Sequence, residues 1–505
     1  MDSIPLMQTA FRLALFCLTW LAGAACAADL TAEMTTREPV IAPVSTHHAV
    51  KIGSRRLRYT ATFAETALND ANGQLQATIS STSYVREEIH DRAARPVMFA
   101  FNGGPGASSS PLHFGALGPR RWVNDADGSR RIVENPFTLL DAADLVFIDP
   151  VGTGFSRLRT GDGSAYWSIA GDAQSVLTLI RNWLQANGRM AAPVFIVGES
   201  YGGFRLATLA NQLDEIRVAG VILISPLLDA SATADAPGND LPFVFELPSL
   251  AAGAWYHEKI DRKNRSLAQV FEEAAAFAQS EYIVALQQGA ALPAARKQQL
   301  ATRISELIGL PATAIEAANL RIDSEFFLQT LLSDRKQLVG RLDMRVTAPK
   351  PTEPPKDPNR PPAADDPALG LKGSNVIRSA QIKTYFEKDL GVRTIRDYLS
   401  LTLDVNFRWN WQGDARSPGF YVNPTANLAT LMTRQPQSKL LLLGGYYDLA
   451  TPLMGPRYAL THAGVPLERT IIRTFDAGHS PFEGESHLAQ VSQVIHSFVR
   501  GELQK

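Results

Sequence analysis

The feature that most constrains this chain is a glycine-bracketed turn between an apolar run and an amphipathic segment. Residues 198–202 read G-E-S-Y-G, follow the apolar run 194–197, and lead into a helix-like stretch at 203–210. A serine between a strand and a helix takes a strained backbone, and its neighbours must be small so that the chain can turn. The motif therefore predicts a nucleophile elbow with Ser200 at its tip. An ordinary loop with a capping serine is the alternative.

Short apolar runs recur along the chain and indicate the sheet that such an elbow requires. They lie at 97–101, 145–148, 194–197 and 221–224, and the pattern returns at 440–443 and 470–475. Runs of this kind suit parallel strands that are buried on both faces. Apolar residues at helical spacing over 167–184 and 487–500 complete an α/β pattern. Residues 47–85 alternate around a turn at 69–73 and predict antiparallel hairpins.

The α/β pattern is interrupted by a long helical segment. Residues 236–435 include helical periodicity at 266–288, 296–308 and 325–340, and eight prolines fall within 349–367. The proline-rich stretch predicts an exposed, polyproline-like or disordered loop. We therefore predict one core, formed by 28–235 and 436–505, with a helical lid insertion at 236–435.

The first 27 residues have the pattern of a signal peptide. Arg12 precedes the apolar run 13–22, which is too short to span a bilayer, and Ala25-Cys26-Ala27 fits a cleavage site. Both cysteines of the chain, Cys17 and Cys26, lie in this segment. The pattern predicts export to a bacterial periplasm or secretion, and no membrane association after cleavage. A lipoprotein acylated on Cys26 is the alternative.

Composition excludes several classes of protein. There are 49 Lys and Arg against 50 Asp and Glu, so the net charge of −1 gives no basic field for nucleic acid. Two cysteines are too few for a disulfide-rich scaffold or a zinc ribbon. His47 and His48 have no third metal ligand nearby in the sequence, and we predict neither a metal nor a cofactor.

A serine hydroxyl at an elbow needs a base, and this kind of fold places the acid and then the histidine after it. His479 lies in the loop directly after the run 470–475, and Asp448 follows the run 440–443. Asp476 is the competing acid, but it precedes His479 by only three residues. Because triad acids in this fold come from the preceding strand's loop, the order favours Ser200, Asp448 and His479.

The loop after the first apolar run supplies a second set of candidate groups. Residues 102–106 read N-G-G-P-G, and glycines let a backbone N–H approach a substrate oxygen. An elbow enzyme takes one oxyanion donor from the residue after the serine and one from such a loop, which indicates Tyr201 and Gly104. A phosphate cradle is the alternative, but its lysine and spacing are missing.

Three motifs together resemble the serine carboxypeptidase family: N-G-G-P-G at 102–106, D-P-V-G-T-G-F-S at 149–156 and G-E-S-Y-G-G at 198–203. The resemblance implies an α/β-hydrolase fold and removal of C-terminal residues from peptides with a free C-terminus. It implies a triad and an oxyanion hole at the residues named above, with Asn102 and Glu199 binding the substrate carboxylate. Ala107 stands where the family usually has a cysteine.

Other interpretations of these residues stay open. Glu199 could be a buried acid satisfied by backbone donors, and Asn102 could serve only to form a turn. If Glu199 faces the substrate carboxylate, it must be protonated to donate a hydrogen bond rather than repel. The same triad would also serve an esterase or an acyltransferase, and a binding protein that lost activity could keep the fold.

Overall fold

The computed structural model describes residues 33–125, 130–233, 236–352, 361–371, 373–412 and 422–504. These residues form two compact units. The core unit combines 33–229 with 374–504, and the helical unit lies within 230–373. The predicted signal peptide, with Cys17 and Cys26, lies outside the described residues, as does the middle of the proline-rich stretch.

The strands follow the sequence runs closely. In chain order they are β1 (Val44–Ile52), β2 (Arg55–Asn69), β3 (Leu75–Arg86), β4 (Val97–Phe101), β5 (Arg120–Asn124), β6 (Arg130–Glu134), β7 (Asp144–Asp149), β8 (Val194–Glu199), β9 (Val218–Ile224), β10 (Gln337–Val339), β11 (Thr347–Pro349), β12 (Val376–Arg378), β13 (Leu399–Thr402), β14 (Lys439–Gly445) and β15 (Thr470–Phe475).

One large sheet organises the core unit. Its order in the described part of the chain is β1-β2-β3-β7-β4-β8-β9-β14-β15. The first three strands pair antiparallel, and β3 joins β7 antiparallel. From β7 to β15 all neighbours are parallel. The carboxyl ends of β4, β8, β14 and β15 therefore meet at one edge, where ligands bind in open α/β sheets.

Burial explains why the two halves of the sheet have different sequences. Every residue of β4, β7 and β8 is buried, as expected for parallel strands covered on both faces. In β2 burial alternates along most of the strand, because one face of this antiparallel hairpin is only partly covered. The predicted hairpins at 47–85 and the predicted parallel strands are confirmed.

The helices, in chain order, are α1 (Ile169–Ala186), α2 (Tyr201–Leu209), α3 (Leu241–Tyr256), α4 (Leu267–Phe277), α5 (Ile283–Gln288), α6 (Ala294–Ile308), α7 (Ala312–Ala317), α8 (Ser324–Thr330), α9 (Ala380–Lys388), α10 (Leu403–Phe407), α11 (Thr425–Arg434), α12 (Met454–His462) and α13 (Glu485–Val499). Helices α3 to α8 belong to the helical unit. Within the ranges described, no helix is long and apolar enough to cross a membrane.

One predicted helix is shorter than its periodicity indicated. Apolar spacing over 325–340 predicted a single helix, but α8 ends at Thr330 and β10 pairs with β11 instead. Lys336 has a φ of 53°, which interrupts a right-handed helix. Helices α9 and α11 group with the core unit although the predicted insertion extended to 435. The predicted boundaries of the insertion stay predictions.

Candidate active site

Ser200 lies at the sharp turn between β8 and α2. Its φ is 60° and its ψ is −129°, a conformation that a non-glycine residue adopts at a cost. The turn is held because the Ser200 amide donates to the Ile224 carbonyl at 3.0 Å. The Ser200 carbonyl accepts from the amides of Gly203 at 2.9 Å and Leu227 at 3.1 Å. The structure thus has the strained strand–turn–helix that the sequence predicted.

The glycines around Ser200 are required by close backbone approach. A Cβ at Gly202 would lie 2.7 Å from the Phe101 carbonyl oxygen, and one at Gly198 would overlap the Gly202 carbonyl. The start of α2 is therefore pressed against the end of β4. A side chain at Gly202 would push α2 away from the end of β4, and one at Gly198 would distort the elbow itself.

Asp448 and His479 form a hydrogen-bonded pair at the carboxyl ends of β14 and β15. His479 Nδ1 lies 2.8 Å from Asp448 Oδ2. Asp448 is 1% exposed, and its Oδ1 also accepts from the amides of Ala450 at 2.8 Å and Thr451 at 3.1 Å. The Thr451 hydroxyl lies 2.7 Å from Asp448 Oδ2. The carboxylate is thus fixed on both oxygens.

The competing acid differs from Asp448 in its burial. Asp476 is exposed at the start of the loop that carries His479, whereas Asp448 is buried against the imidazole. The two loops are in contact, because the Tyr447 amide donates to the Ala477 carbonyl at 3.0 Å. This contact brings the loops after β14 and β15 together.

The charges of the pair stabilise each other. Burial alone would raise the pKa of Asp448, but His479 and the Thr451 donors lower it below its ordinary value. Burial alone would lower the pKa of His479, but Asp448 and then Glu199 raise it above its ordinary value. The raised pKa of His479 therefore favours uptake of a proton by the imidazole, and the Asp448 carboxylate stabilises the resulting positive charge.

The loop after β4 lies against the start of α2. A Cβ at Gly103 would overlap the Tyr201 amide nitrogen, so only glycine fits there. Gly104 has a φ of 98° and precedes a cis peptide bond to Pro105. The loop is anchored at Ser109, whose amide and hydroxyl donate to Asp149 Oδ1 at 2.8 and 2.7 Å. Asp149, the first residue of the 149–156 motif, therefore anchors the loop that follows β4.

Glu199 is a buried carboxyl immediately before Ser200, held by two side-chain donors. It is 2% exposed. The Asn102 amide donates to Glu199 Oε2, and the Ser480 hydroxyl donates to Oε1 at 2.7 Å. Asn102 Oδ1 accepts from the Leu112 amide at 3.2 Å, which leaves its NH₂ group facing Glu199. The structure brings Asn102 and Glu199 into direct contact.

Burial raises the pKa of Glu199 to about 7, against the opposing effects of His479, Ser480 and Asn102. The nearby Glu483 adds to the rise. Glu199 therefore changes charge near neutral pH. A group of this kind can accept hydrogen bonds when ionised and donate one when protonated.

The role of Ser200 as the nucleophile of a triad stays a prediction. Among the residues described, no hydrogen bond joins the Ser200 hydroxyl to His479. Such contacts are often long in unliganded enzymes and tighten when substrate binds. The structure therefore contains the elbow and the Asp448–His479 pair as two separate observations.

Three residues that contact the candidate site residues were not predicted from the sequence. Thr451 and Ser480 follow Asp448 and His479 closely, and each donates to a buried carboxylate. Arg205, in α2, donates to Asp172 Oδ2 at 2.6 Å and to the Asn102 carbonyl at 2.5 Å. Proximity to a candidate residue was the only signal for the first two. An arginine inside an apolar helix was the signal for the third.

The aromatic residues near 409 pack on the elbow. The ring centroids of Trp409 and Trp411 lie 5.1 and 5.6 Å from that of Tyr201, in edge-to-face geometry. Such contacts stabilise the orientation of the residue that follows Ser200.

A family model described as serine carboxypeptidase matches residues 83–273. The matched segment contains the 102–106 loop and the elbow, but not Asp448 or His479. Serine carboxypeptidase S10 family member 2 of Dictyostelium discoideum is 32% identical over 120 residues, which cover 23% of this chain and 21% of that protein.

Other curated relatives match over a similar extent. Serine carboxypeptidase-like 36 of Arabidopsis thaliana is 31% identical over 157 residues, covering 29% of this chain and 31% of the relative. Pheromone-processing carboxypeptidase KEX1 of Coprinopsis cinerea is 32% identical over 142 residues, covering 26% and 22%. The aligned segment thus spans less than a third of the length of each of these three relatives.

A solved structure matches over nearly the whole chain. The crystal structure of Kex1, a prohormone-processing carboxypeptidase from Saccharomyces cerevisiae, is similar with a TM-score of 0.52. The alignment covers 88% of this chain and 92% of that chain at 14% identity. With the parallel sheet and the strand–turn–helix at Ser200, this likeness establishes the predicted α/β-hydrolase fold, with the helical unit inserted between β9 and β12.

Proposed function

We propose that this protein is a serine carboxypeptidase that removes C-terminal residues from peptides through an acyl-enzyme. The observation that carries the proposal is the buried Glu199, held by Asn102 and Ser480 directly before the candidate nucleophile. Ester hydrolysis requires only an elbow, a base and an oxyanion hole, whereas a carboxyl that can be protonated beside them can donate a hydrogen bond to a substrate carboxylate. The family match over residues 83–273 supports the same conclusion.

In the proposed mechanism, His479 takes the proton of the Ser200 hydroxyl as its oxygen attacks the scissile carbonyl. The negative charge that develops on the carbonyl oxygen is stabilised by the amides of Gly104 and Tyr201 and by the start of α2. His479 then gives the proton to the leaving amine, and water releases the acyl group by the same steps in reverse. Asp448 orients His479 and stabilises its protonated form.

Substrate selection in this proposal depends on the protonation of Glu199. A peptide carboxylate beside an ionised glutamate would be repelled, whereas a protonated Glu199 donates a hydrogen bond to it. Asn102 supplies a second donor from the oxyanion loop. Recognition of the terminal carboxylate would thereby place the last peptide bond at Ser200.

The proposal is tested by the products formed from matched substrates. A peptide with a free C-terminus should release its last amino acid, and the same peptide with a C-terminal amide should bind far more weakly below neutral pH. Ser200→Ala should lower kcat by about 10⁴-fold or more while the far-UV circular dichroism stays unchanged.

The alternatives give different results in that experiment. Equal turnover of the acid and the amide, or preference for a simple acyl ester, would favour an esterase or general amidase. Failure of a reactive-serine probe to label Ser200 would favour an inactive binding protein.

We also propose that the protein acts outside the cytoplasm, in a bacterial periplasm or as a secreted enzyme. The support is the pattern of the first 27 residues: an arginine, a short apolar run and a small-residue cleavage site.

A further inference from the structure

Glu199 has two partners of different chemical character. The Asn102 NH₂ group can only donate, and its orientation is fixed by the Leu112 amide on the other side of the same side chain. The Ser480 hydroxyl, 2.7 Å from Glu199 Oε1, can donate to the ionised carboxylate and accept from the protonated acid. Ser480 is therefore the partner that can follow a change in the charge of Glu199.

We propose that Ser480 is a specificity-determining residue, whose hydroxyl sets the pH range over which Glu199 admits a substrate carboxylate. The inference rests on the proposed function of Glu199 and extends it to a residue outside the triad and the oxyanion hole. Ser480 acts through Glu199, so it is a positioning residue rather than a catalytic one.

The direction of the effect follows from the groups that face Glu199. Burial disfavours its charge, while His479, Ser480 and Asn102 favour it and the exposed Glu483 opposes it. A hydrogen bond to a charged group is worth more than one to a neutral group. Removing the Ser480 hydroxyl therefore disfavours the ionised carboxylate, and Glu199 should keep its proton to a higher pH.

The experiment measures KM against pH for one blocked dipeptide and its C-terminal amide in the parent, Ser480→Ala and Ser480→Thr. In the parent, KM for the free acid should rise as Glu199 ionises, and KM for the amide should not. In Ser480→Ala the midpoint of that rise should move up by about one pH unit. Ser480→Thr keeps a hydroxyl and should return the midpoint to the parent value.

A matched control is available nearby. Ser486 is an exposed serine at the start of α13, whose hydroxyl accepts from the Gln490 amide at 3.3 Å. Ser486→Ala removes a hydroxyl from the same part of the chain without touching Glu199, and its midpoint should match the parent.

The outcomes separate this inference from the function on which it rests. If parent KM depends on pH equally for the acid and the amide, the role of Glu199 in carboxylate recognition is wrong. If the parent discriminates but Ser480→Ala has the parent midpoint, the role of Ser480 is wrong. The role of Ser480 is also wrong if Ser480→Thr folds normally and its midpoint shifts as far as that of Ser480→Ala.

Discussion

Asp448 and Asp476 lie on the same edge of the sheet, yet their surroundings differ. Asp448 is buried and touches His479 Nδ1, whereas Asp476 is exposed. We expect Asp448→Asn to lower kcat by about 10⁴-fold, because the amide cannot hold the required tautomer or the charge of the imidazole. Asp476→Asn should change kcat by less than about tenfold. Steady-state kinetics on one ester substrate checks the ranking, and the reverse ranking would move the acid role to Asp476.

Glu199 should also make stability depend on pH. Its pKa is raised from an ordinary value of 4.5 to about 7 in the folded protein. The folded state therefore holds a proton that the unfolded state has lost, and stability decreases as pH rises between these two values. Glu199→Gln removes this titration.

The free energy of unfolding of Glu199→Gln, measured relative to that of the parent, should therefore rise by about 3 kcal/mol when the pH is raised from about 4 to about 8. Chemical denaturation of both proteins at the two pH values measures the difference. A difference that is independent of pH would contradict the raised pKa.

At the scale of single residues, the sequence predicts only those residues that stand in a distinctive local pattern. The glycines on either side of Ser200 cannot carry a Cβ without a clash, and His479 lies in the loop directly after β15. Ser480 and Thr451 are small polar residues of a common type, and nothing in the sequence says that their hydroxyls point at a carboxylate. Such contacts depend on backbone angles that no local pattern encodes.

At the scale of elements, α1, α2 and the loop after β4 are joined by one buried arginine. Arg205 is 1% exposed, and its guanidinium binds Asp172 in α1 and the Asn102 carbonyl. It also lies over the rings of Phe101 and Tyr201, at 5.4 and 5.3 Å. These contacts thus link α2 to Asn102, the residue that contacts Glu199.

Removing this arginine should be costly, because Asp172 would stay buried without its partner. We expect Arg205→Met to lower the free energy of unfolding by about 3–5 kcal/mol. Arg434→Met is a suitable control: Arg434 and Asp214 are both more than half exposed, and losing that ion pair should cost less than about 1 kcal/mol. Urea denaturation compares the two. Equal losses would show that the buried pair contributes no more than a surface pair.

Elements with a single dominant signal were predictable, and elements with competing signals were not. The buried parallel strands were found because continuous apolar runs have few other uses. The segment 325–340 has apolar residues that fit a helix, but the chain turns at Lys336 and forms a short hairpin instead. The hairpin of β10 and β11 could therefore be identified only from the structure, because strand pairing overrode the helical periodicity of the sequence.

At the scale of the whole molecule, the topology of the sheet explains why distant motifs meet. The 102–106 loop, Ser200, Asp448 and His479 follow β4, β8, β14 and β15, which run parallel in one sheet. Sequence predicts that each motif follows a strand. It does not give the order β7-β4-β8-β9-β14-β15, because adjacency depends on which helices cover which face.

Stability without disulfides is the property of the whole chain that can be tested most simply. Both cysteines fall at positions 17 and 26, within the predicted signal peptide. The core unit is instead joined by buried ion pairs, such as Asp144 with Arg95 at 2.7 Å and with Arg189 at 2.6 Å.

We expect the exported protein to begin at or near Ala28 and to unfold at the same temperature with and without a thiol reductant. N-terminal sequencing and intact mass determine the start, and thermal unfolding in both buffers checks the second point. An acylated Cys26 in the mass spectrum, or a reductant-dependent melting temperature, would contradict cleavage after Ala27, because either result requires that a cysteine remain in the mature chain.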